Sequence, residues 1–364
     1  MRIMITGGGT GGHTSPAVAI IEELRKRDPR LDVQWVGRKG AIEERVSKTY
    51  SVPFRSVPVE GWPRERSLKQ VWVGAKLALG VGRSLLLIRK FRPQLVLGVG
   101  GYVSLPLILA AQRMKVPTIL HEQNKRLGLA NRLAAGRASL ILLSYPETVG
   151  EYPRERAAVL GNPVRAGFAH PPAKADACAV FELDPEAPVV LVSGGSQGAH
   201  TLNQAMFDLL EGSDEAESAQ FIWMTGPADA GRAHAVAEQS PIRARVFAFI
   251  DDMVSACAAA DLIVSRAGAS STAEIALLGK PSILVPYPFA TDNHQEQNAR
   301  AFEDAGAACV LLDNECTGAR LRELIEGLVG DEARLRAMGV GAASLARPGA
   351  AEAIAEQILS TVFE

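Results

Sequence analysis

The sequence has few cysteines that could form the disulfides of a small secreted domain, and it lacks the pattern of a secretory signal peptide. Four of its 364 residues are cysteines, all in the second half and none in a Cys-x-x-Cys pair. This spacing argues against a zinc site and against a disulfide framework. The N-terminal residues, 1–6, run straight into glycines without a long apolar core or a cleavage site. We therefore expect no secretory signal peptide and a cytoplasmic location.

Aromatic residues are also scarce, at 5%, and no zinc-finger or RRM signature is present, which argues against nucleic acid as a partner. The remaining composition, 47% hydrophobic and 22% charged, is that of a globular protein. The length is enough for two domains of ordinary size.

The net charge of −1 hides a strong asymmetry between the two halves. Residues 1–165 hold 27 Lys and Arg against 12 Asp and Glu, so 27 − 12 = +15; the remainder holds 12 against 28, so 12 − 28 = −16. A basic first half favours an anionic partner, and an anionic membrane surface is the candidate that the sequence supports.

Short apolar runs alternate with amphipathic stretches, and the pattern restarts after a polar seam near residues 161–172. Runs that are apolar throughout are typical of buried parallel strands. The sequence therefore predicts an α/β protein of two doubly wound domains. We place them at residues 1–163 and 164–340, followed by a C-terminal segment, 341–364, whose helix over 350–363 is a candidate to pack back on the first domain. The predicted strands are 2–6, 33–37, 95–99, 118–121 and 140–144 in the first domain and 188–193, 221–225, 245–249, 262–265 and 282–285 in the second.

Three glycine loops each lie at the carboxyl end of a predicted strand, at residues 7–13, 97–104 and 193–199. Glycine lets the backbone approach a ligand closely, and a following helix N-terminus favours a phosphate. Ligands of open α/β sheets bind at the carboxyl ends of strands. Three such loops in two domains predict a protein that handles two phosphate-bearing groups.

The first loop also satisfies the dinucleotide pattern Gly7-x-Gly9-x-x-Gly12, with Asp32 at the spacing of a ribose-binding acid. An NAD-dependent oxidoreductase is therefore an alternative function. His13 counts against it, because a bulky ionisable group would crowd a bound pyrophosphate, and so do the other two loops.

Seven motifs occur in order along the chain: GGGTGGH at 7–13, LGVGGYVS at 97–104, HEQN at 121–124, GNPVR at 161–165, GGSQGA at 194–199, SRAGASSTAE at 265–274 and DNHQEQNA at 292–299. Together they resemble the MurG family, the bacterial N-acetylglucosaminyltransferases of glycosyltransferase family 28. The resemblance covers residues 1 to about 340 along the doubly wound pattern.

The resemblance implies a GT-B fold, in which two Rossmann-like domains face each other across a cleft. It implies a donor, UDP-N-acetylglucosamine, bound mainly by the C-terminal domain, and an acceptor, lipid I, whose muramoyl 4-hydroxyl attacks with inversion to give lipid II. No cofactor is expected. Since no Asp-x-Asp pair is present, we expect no protein-bound catalytic metal.

The family's binding residues, carried over by motif, divide between sugar, diphosphate, uridine and acceptor. The resemblance implies that the donor is bound by Thr10, Gly11, Gly12, Asn124, Arg165, Ser196, Ile250, Ala269, Ser270, Ser271, Thr272, Ala273, Glu274 and Gln295. It assigns Gly100, Gly101 and Tyr102 to the acceptor and diphosphate loops. Where relatives often carry Gln, this chain has His294, which puts a donor contact there in doubt.

His13 is the candidate catalytic base. It lies between a glycine loop and a helix start, where the helix dipole disfavours the imidazolium and keeps a neutral imidazole. Capping of the helix is the alternative role. Glu274 has a rival role too, because Ser271-x-x-Glu274 matches a capping box.

The segment 71–91 is apolar but interrupted by Lys76, Arg83, Arg89 and Lys90. Lys76, Arg83 and Lys90 are seven residues apart and so fall on one helical stripe. The apolar residues Trp72, Ala75, Leu79 and Leu86 occupy another face. The pattern favours an interfacial helix over a spanning one, and a core-packing helix is the alternative. We expect a peripheral protein at the cytoplasmic face of the inner membrane. Two further alternatives for the function are a UDP-N-acetylglucosamine 2-epimerase and a silent binder of lipid-linked precursors.

Overall fold

The computed structural model describes residues 1–9, 11–62, 69–213, 219–290 and 293–363. The chain forms two compact units. Unit 1 comprises Met1–Ala166 together with Gly349–Glu364, and unit 2 comprises Gly167–Pro348. These limits differ from the predicted 163 and 340, because α13 (Glu332–Ser344) belongs whole to unit 2 and ends beyond residue 340.

Unit 1 is built on a parallel sheet of seven strands in the order β3-β2-β1-β4-β5-β6-β7. This is the doubly wound order with one strand added at the edge. The strands are β1 (Arg2–Thr6), β2 (Asp32–Gly37), β3 (Phe54–Ser56), β4 (Leu95–Gly98), β5 (Thr118–Glu122), β6 (Leu140–Leu143) and β7 (Ala157–Val159). The helices are α1 (Gly11–Arg27), α2 (Ile42–Thr49), α3 (Lys69–Phe91), α4 (Leu105–Arg113), α5 (Leu129–Ala135) and α14 (Ala350–Phe363).

Two apolar clusters cover the two faces of this sheet. Strands β1 and β4 are buried at every position except Arg2, because both of their faces are covered. On one face α14 packs beside α1, with Ile354 and Ile358 fully buried in the same cluster as Ile20. The C-terminal helix is thus part of the core of unit 1.

Unit 2 has six parallel strands in the order β10-β9-β8-β11-β12-β13, the doubly wound order once more. The strands are β8 (Val189–Ser193), β9 (Gln220–Met224), β10 (Ala244–Phe247), β11 (Leu262–Ser265), β12 (Ser282–Leu284) and β13 (Ala308–Val310). The helices are α6 (Lys174–Val180), α7 (His200–Glu211), α8 (Ala230–Gln239), α9 (Met253–Ala259), α10 (Ala269–Leu278), α11 (His294–Asp304), α12 (Gly318–Val329) and α13. The four cysteines are all free thiols in this unit.

Candidate active site

In unit 1 two glycine loops follow β1 and β4, the neighbouring strands at which the sheet order reverses. In unit 2 one glycine loop follows β8, whose neighbour across the reversal is β11. A reversal of strand order opens a crevice at the carboxyl ends, which is where doubly wound sheets bind nucleotides. The predicted loops therefore occupy the ligand-binding edge of each sheet.

Two buried side chains form hydrogen bonds with the backbone of the first glycine loop. The indole Nε1 of Trp35 donates to the carbonyl oxygen of Gly7 at 3.2 Å. The carboxylate of Glu43 accepts from the amide of Gly9 at 3.2 Å and from the amide of Arg38 at 2.9 Å. Glu43 is fully buried, and sequence reasoning missed it because it stands beside another glutamate in a charged helix.

The second glycine loop packs against the first and against the ring of His13. Gly100 has φ +89°, and a Cβ there would lie 3.0 Å from His13 Nδ1. Gly101 has φ +77°, and its Cβ would lie 2.4 Å from the carbonyl oxygen of Gly8. Side chains at these positions would be both strained and obstructed, so the two loops can meet only as glycines.

His13 lies in the first turn of α1, which begins at Gly11, so the residue is inside the helix and not before its start as predicted. Its Nδ1 lies 3.1 Å from the carbonyl oxygen of Val99 and 3.1 Å from Oε1 of Gln123. The ring thus joins the ends of β1, β4 and β5. The structure brings His13 together with the predicted Gly11, Gly12, Gly100 and Gly101, whereas Thr10 lies outside the described residues.

His121, at the end of β5, is fully buried, and burial lowers the pKa of its imidazole from 6.5 to about 4. The nearby His13 lowers this pKa further, and the carbonyl oxygen of Gly161, 3.2 Å from Nε2, acts in the opposite direction. His121 is therefore a neutral structural group at physiological pH.

Because His121 is buried and neutral, we expect the free energy of unfolding to depend on pH. Between pH 6.5 and pH 4 the unfolded ring binds a proton that the folded ring does not. The unfolding free energy is therefore expected to fall by about 3 kcal/mol as pH drops through this window, and the contribution is complete above pH 6.5. Urea unfolding at a series of pH values should show this loss, and His121→Asn should lack it. The exposed His170→Asn serves as control; equal pH slopes for wild type and His121→Asn would refute the expectation.

Glu122 organises the loop that presents Asn124. Its buried carboxylate accepts from the amide nitrogen and side chain of Asn124, at 3.1 and 3.0 Å, and from Gly128 N and Asn131 Nδ2, both at 2.9 Å. Glu122 thereby holds the side-chain nitrogen of Asn124. Asn124 remains a predicted sugar contact, and Glu122 is a residue that sequence reasoning left without a role.

The dinucleotide interpretation of the first loop is wrong. Asp32 is the first residue of β2, and its amide donates to the carbonyl oxygen of Met1. It lies at the amino end of the strand, whereas a ribose-binding acid belongs at the carboxyl end beside the glycine loop. The carboxyl end of β2 carries Gly37, followed by Arg38.

Arg165 contacts Tyr50, the residue that follows α2. Its Nη1 lies 3.3 Å from the hydroxyl of Tyr50, and the next amide, of Ala166, donates to Glu22 Oε2 at 3.1 Å. Glu22 lies eleven residues along α1 from Gly11, or about 16 Å at 1.5 Å per residue. The predicted contact of Arg165 with the donor diphosphate remains a prediction.

In unit 2 the loop 194–199 follows β8 and leads into α7. Gly198 has φ +79°, and a Cβ there would lie 2.1 Å from the carbonyl oxygen of Thr225, at the end of β9. This close approach presents Ser196 at the carboxyl edge, next to the segment between β11 and α10. The first turn of α10, formed by Ala269–Ser271, directs backbone N–H groups and a positive dipole end to the same edge.

The capping-box interpretation of Glu274 is wrong. The N-cap of α10 is Gly268, so Ser271 already lies inside the helix and cannot cap it. Thr272 is buried, and its hydroxyl lies 3.2 Å from the carbonyl oxygens of Gly268 and Ala269. Glu274 is partly exposed one turn from the helix start, beside Ala273, which is compatible with the predicted ribose contact.

Two more predicted donor residues lie at the same edge of unit 2, one in a loop and one in a helix. Ile250 follows β10, and its amide lies 3.4 Å from Met224 Sδ, so we expect a base to meet its carbonyl oxygen. Gln295, in the first turn of α11, accepts from the amide of Tyr287 at 3.0 Å. Among the residues that the structure describes, no group of three or more His, Cys, Asp or Glu could hold a metal ion.

Helix α3 packs on unit 1 through one face. Val73, Gly80, Ser84 and Ile88 are buried on that face. The stripe formed by Trp72, Leu79 and Leu86 is 60–66% exposed, so the core-packing alternative is wrong for these three residues. By length and composition residues 70–91 could also cross a membrane, with 22% of the apolar window buried in the protein.

A pocket of about 520 Å³ lies beside this helix, and its lining includes four cations: Arg38, Lys39, Lys76 and Arg83.

Two Rossmann-type units with glycine loops at their switch points are the architecture of an enzyme acting on nucleotide-bearing substrates. Residues 3–142 match the model of the glycosyltransferase family 28 N-terminal domain, and residues 189–354 match that of the C-terminal domain. The chain belongs to glycosyltransferase family 28.

Relatives with curated names extend along the whole chain. The UDP-N-acetylglucosamine--N-acetylmuramyl-(pentapeptide) pyrophosphoryl-undecaprenol N-acetylglucosamine transferase of Desulfitobacterium hafniense (strain DSM 10664 / DCB-2) is 38% identical over 370 residues, covering 100% of both chains. The enzyme of the same name from Moorella thermoacetica is 40% identical, covering 100% of this chain and 99% of its own. The predicted family and enzyme class, a glycosyltransferase, are confirmed.

Solved structures support the predicted fold. The crystal structure of Acinetobacter baumannii MurG matches with a TM-score of 0.72 at 27% identity, covering 99% of each chain. The UDP-N-acetylglucosamine 2-epimerase of Neisseria meningitidis matches with a TM-score of 0.67 at 14% identity, covering 99% of this chain and 100% of its own. At that identity the epimerase shares the fold alone. The predicted pair of doubly wound α/β domains is confirmed.

Proposed function

We propose that this enzyme transfers N-acetylglucosamine from UDP-N-acetylglucosamine to the muramoyl 4-hydroxyl of lipid I, giving lipid II for peptidoglycan. The observation that carries the proposal is the 38–40% identity, along the full length, to relatives that bear the name of this transferase. The solved 2-epimerases that resemble this chain are 13–16% identical to it, which supports a shared fold alone.

The chemistry divides between the two units. His13 takes the proton of the acceptor 4-hydroxyl while the oxygen forms a bond to C1 of the donor sugar. The bond from C1 to the diphosphate oxygen breaks, and UDP leaves with the electron pair. The N–H groups at the start of α10 stabilise the charge that grows on the diphosphate. Attack opposite the leaving group inverts the anomeric centre without a covalent intermediate.

The test is UDP release from UDP-N-acetylglucosamine, with and without a lipid I analogue in detergent. Release that depends on the acceptor, with labelled sugar moving to the lipid, is the expected result. UDP binding without acceptor-dependent release would reject the transferase in favour of a silent binder. Conversion of the donor sugar without acceptor would favour an epimerase.

Glu274 is proposed to bind the ribose hydroxyls, since a carboxylate can accept two hydrogen bonds from a diol. Glu274→Ala is expected to weaken UDP binding about 10- to 100-fold, the range for hydrogen bonds to a charged group. Calorimetric titration with UDP measures this. Glu303→Ala, on the exposed side of α11, is the matched control; UDP affinity equal to wild type in Glu274→Ala would remove the ribose role.

We also propose that the protein is peripheral at the cytoplasmic face of the inner membrane, attached through α3. Support comes from the exposed stripe of Trp72, Leu79 and Leu86 and from the cations around the adjacent pocket. Apolar side chains insert at the interface while Lys and Arg contact anionic headgroups. Such attachment would bring the acceptor-binding unit to a substrate that is itself anchored in the bilayer.

A further inference from the structure

A chain of hydrogen bonds joins two histidines at the candidate active site through one glutamine. Gln123 is 2% exposed, at the end of β5. Its Nε2 lies 2.9 Å from the carbonyl oxygen of Val99 and 2.8 Å from Nδ1 of His121. Its Oε1 lies 3.1 Å from Nδ1 of His13. None of the functions considered so far assigns Gln123 a role.

The partners determine where the protons lie. Nε2 of His121 lies 3.2 Å from the carbonyl oxygen of Gly161, which can only accept, so this nitrogen carries the proton. In the neutral ring Nδ1 is then an acceptor. Gln123 Nε2 supplies one hydrogen to it and the other to Val99, which sets the direction of the amide group.

The direction of the Gln123 amide also determines the tautomer of His13. With both hydrogens of Gln123 directed to His121 and Val99, its Oε1 faces His13 as an acceptor. The second neighbour of His13 Nδ1, the carbonyl oxygen of Val99 at 3.1 Å, is also an acceptor. Nδ1 of His13 must therefore carry the proton, and in the neutral ring Nε2 carries the lone pair. The two histidines hold opposite tautomers.

We propose that Gln123 is a positioning residue that fixes His13 as the Nδ1–H tautomer, with Nε2 as the proton-accepting atom. This inference rests on the proposed role of His13 as base. When Nε2 takes the proton of the acceptor hydroxyl, Oε1 of Gln123 stabilises the imidazolium through Nδ1–H, as the oriented carboxylate does in a serine protease triad but without a charge. His121 holds the glutamine amide in the required direction.

The first test needs no substrate. Long-range proton–nitrogen correlation spectra of protein labelled in its histidines, at a pH where both rings are neutral, report which nitrogen of each ring is protonated. We expect Nδ1–H for His13 and Nε2–H for His121, with the signals assigned by His13→Ala and His121→Asn. The Nε2–H tautomer at His13 would overturn the proposal. Because no turnover is measured, this result stands apart from any failure of the proposed transferase reaction.

The second test uses Gln123→Leu, which keeps the bulk and removes the amide. We expect kcat to fall roughly 10- to 100-fold, part of the factor that a positioned base supplies, while the Kd for UDP-N-acetylglucosamine stays within about twofold. The acid limb of the pH–rate profile should move about one unit to lower pH, because the imidazolium loses an acceptor.

Gln112→Leu is the matched control. Gln112 is a partly buried amide of unit 1, and its Nε2 donates to the carbonyl oxygen of Ala134 at 2.9 Å, away from His13. It should lose some stability and keep both kcat and the pH profile. If Gln123→Leu behaves like Gln112→Leu, Gln123 has only a structural role and the proposal is wrong. If Gln123→Leu does not fold, the tautomers of the unsubstituted protein still decide.

Discussion

Replacing His13 by alanine is expected to lower kcat of sugar transfer by about 10² to 10⁴, the usual contribution of a positioned general base. The ring stands where the ends of β1, β4 and β5 meet, in contact with both glycine loops of unit 1. The predicted donor residues lie mostly in unit 2. The Kd for UDP-N-acetylglucosamine should therefore change little.

Steady-state rates with a lipid I analogue, together with calorimetric titration of the donor, separate these two effects. His170→Ala, an exposed histidine outside the candidate site, is the control and should keep wild-type turnover. A melting temperature close to wild type shows that the loops remain folded. Near-normal kcat in His13→Ala would exclude His13 as the base and with it the reason for the hydrogen-bond chain through Gln123.

The triple substitution Trp72→Ser, Leu79→Ser and Leu86→Ser is expected to lower binding to anionic vesicles roughly 100-fold or more. The estimate takes about 1 kcal/mol for each side chain, since these residues are already partly covered and insert only partly. The native helix should also bind less at high salt, because the neighbouring cations are then screened. Sedimentation with vesicles containing anionic lipid measures both effects.

The matched control is Val340→Ser, which alters an equally exposed apolar residue, at 72%, on α13 of unit 2. It should bind vesicles as wild type does. The triple variant should retain its kcat on a short-chain acceptor in detergent, since the stripe faces away from the core. Undiminished vesicle binding by the triple variant would show that another surface carries the attachment.

The long apolar strands and the periodic helices were predictable from the sequence. The structure gives β1 and α14 the predicted limits, because each carries an unbroken local pattern. The strands β3, β7 and β13 were missed. They have three residues each, are only partly buried, and in β3 one of them is Arg55. Such edge strands are stabilised by their neighbours more than by their own composition.

The site could be predicted where a motif has a local signature, as at the glycine loops and His13. The role of Glu43 could not be predicted, because its partner Gly9 lies 34 residues away in the sequence. A glutamate in a short charged helix also resembles a solvated side chain. Gln123 lay within a recognised motif, yet its contact with His13 spans 110 residues. Asp32 led to a wrong prediction, because its spacing from the glycine loop matches that of a ribose-binding acid. The spacing does not show that Asp32 lies at the amino end of β2.

Because α14 packs in unit 1, that unit is formed by two separate segments of the chain, and the second is synthesised last. Ile354, Ala355 and Ile358 complete a core whose other buried members lie before residue 166. On the ribosome, unit 2 is therefore complete before unit 1, although unit 1 begins first. We infer that the apolar residues of segment 1–166 that contact α14 stay partly exposed to solvent until α14 has been synthesised. In a fragment ending at residue 348 they would remain exposed.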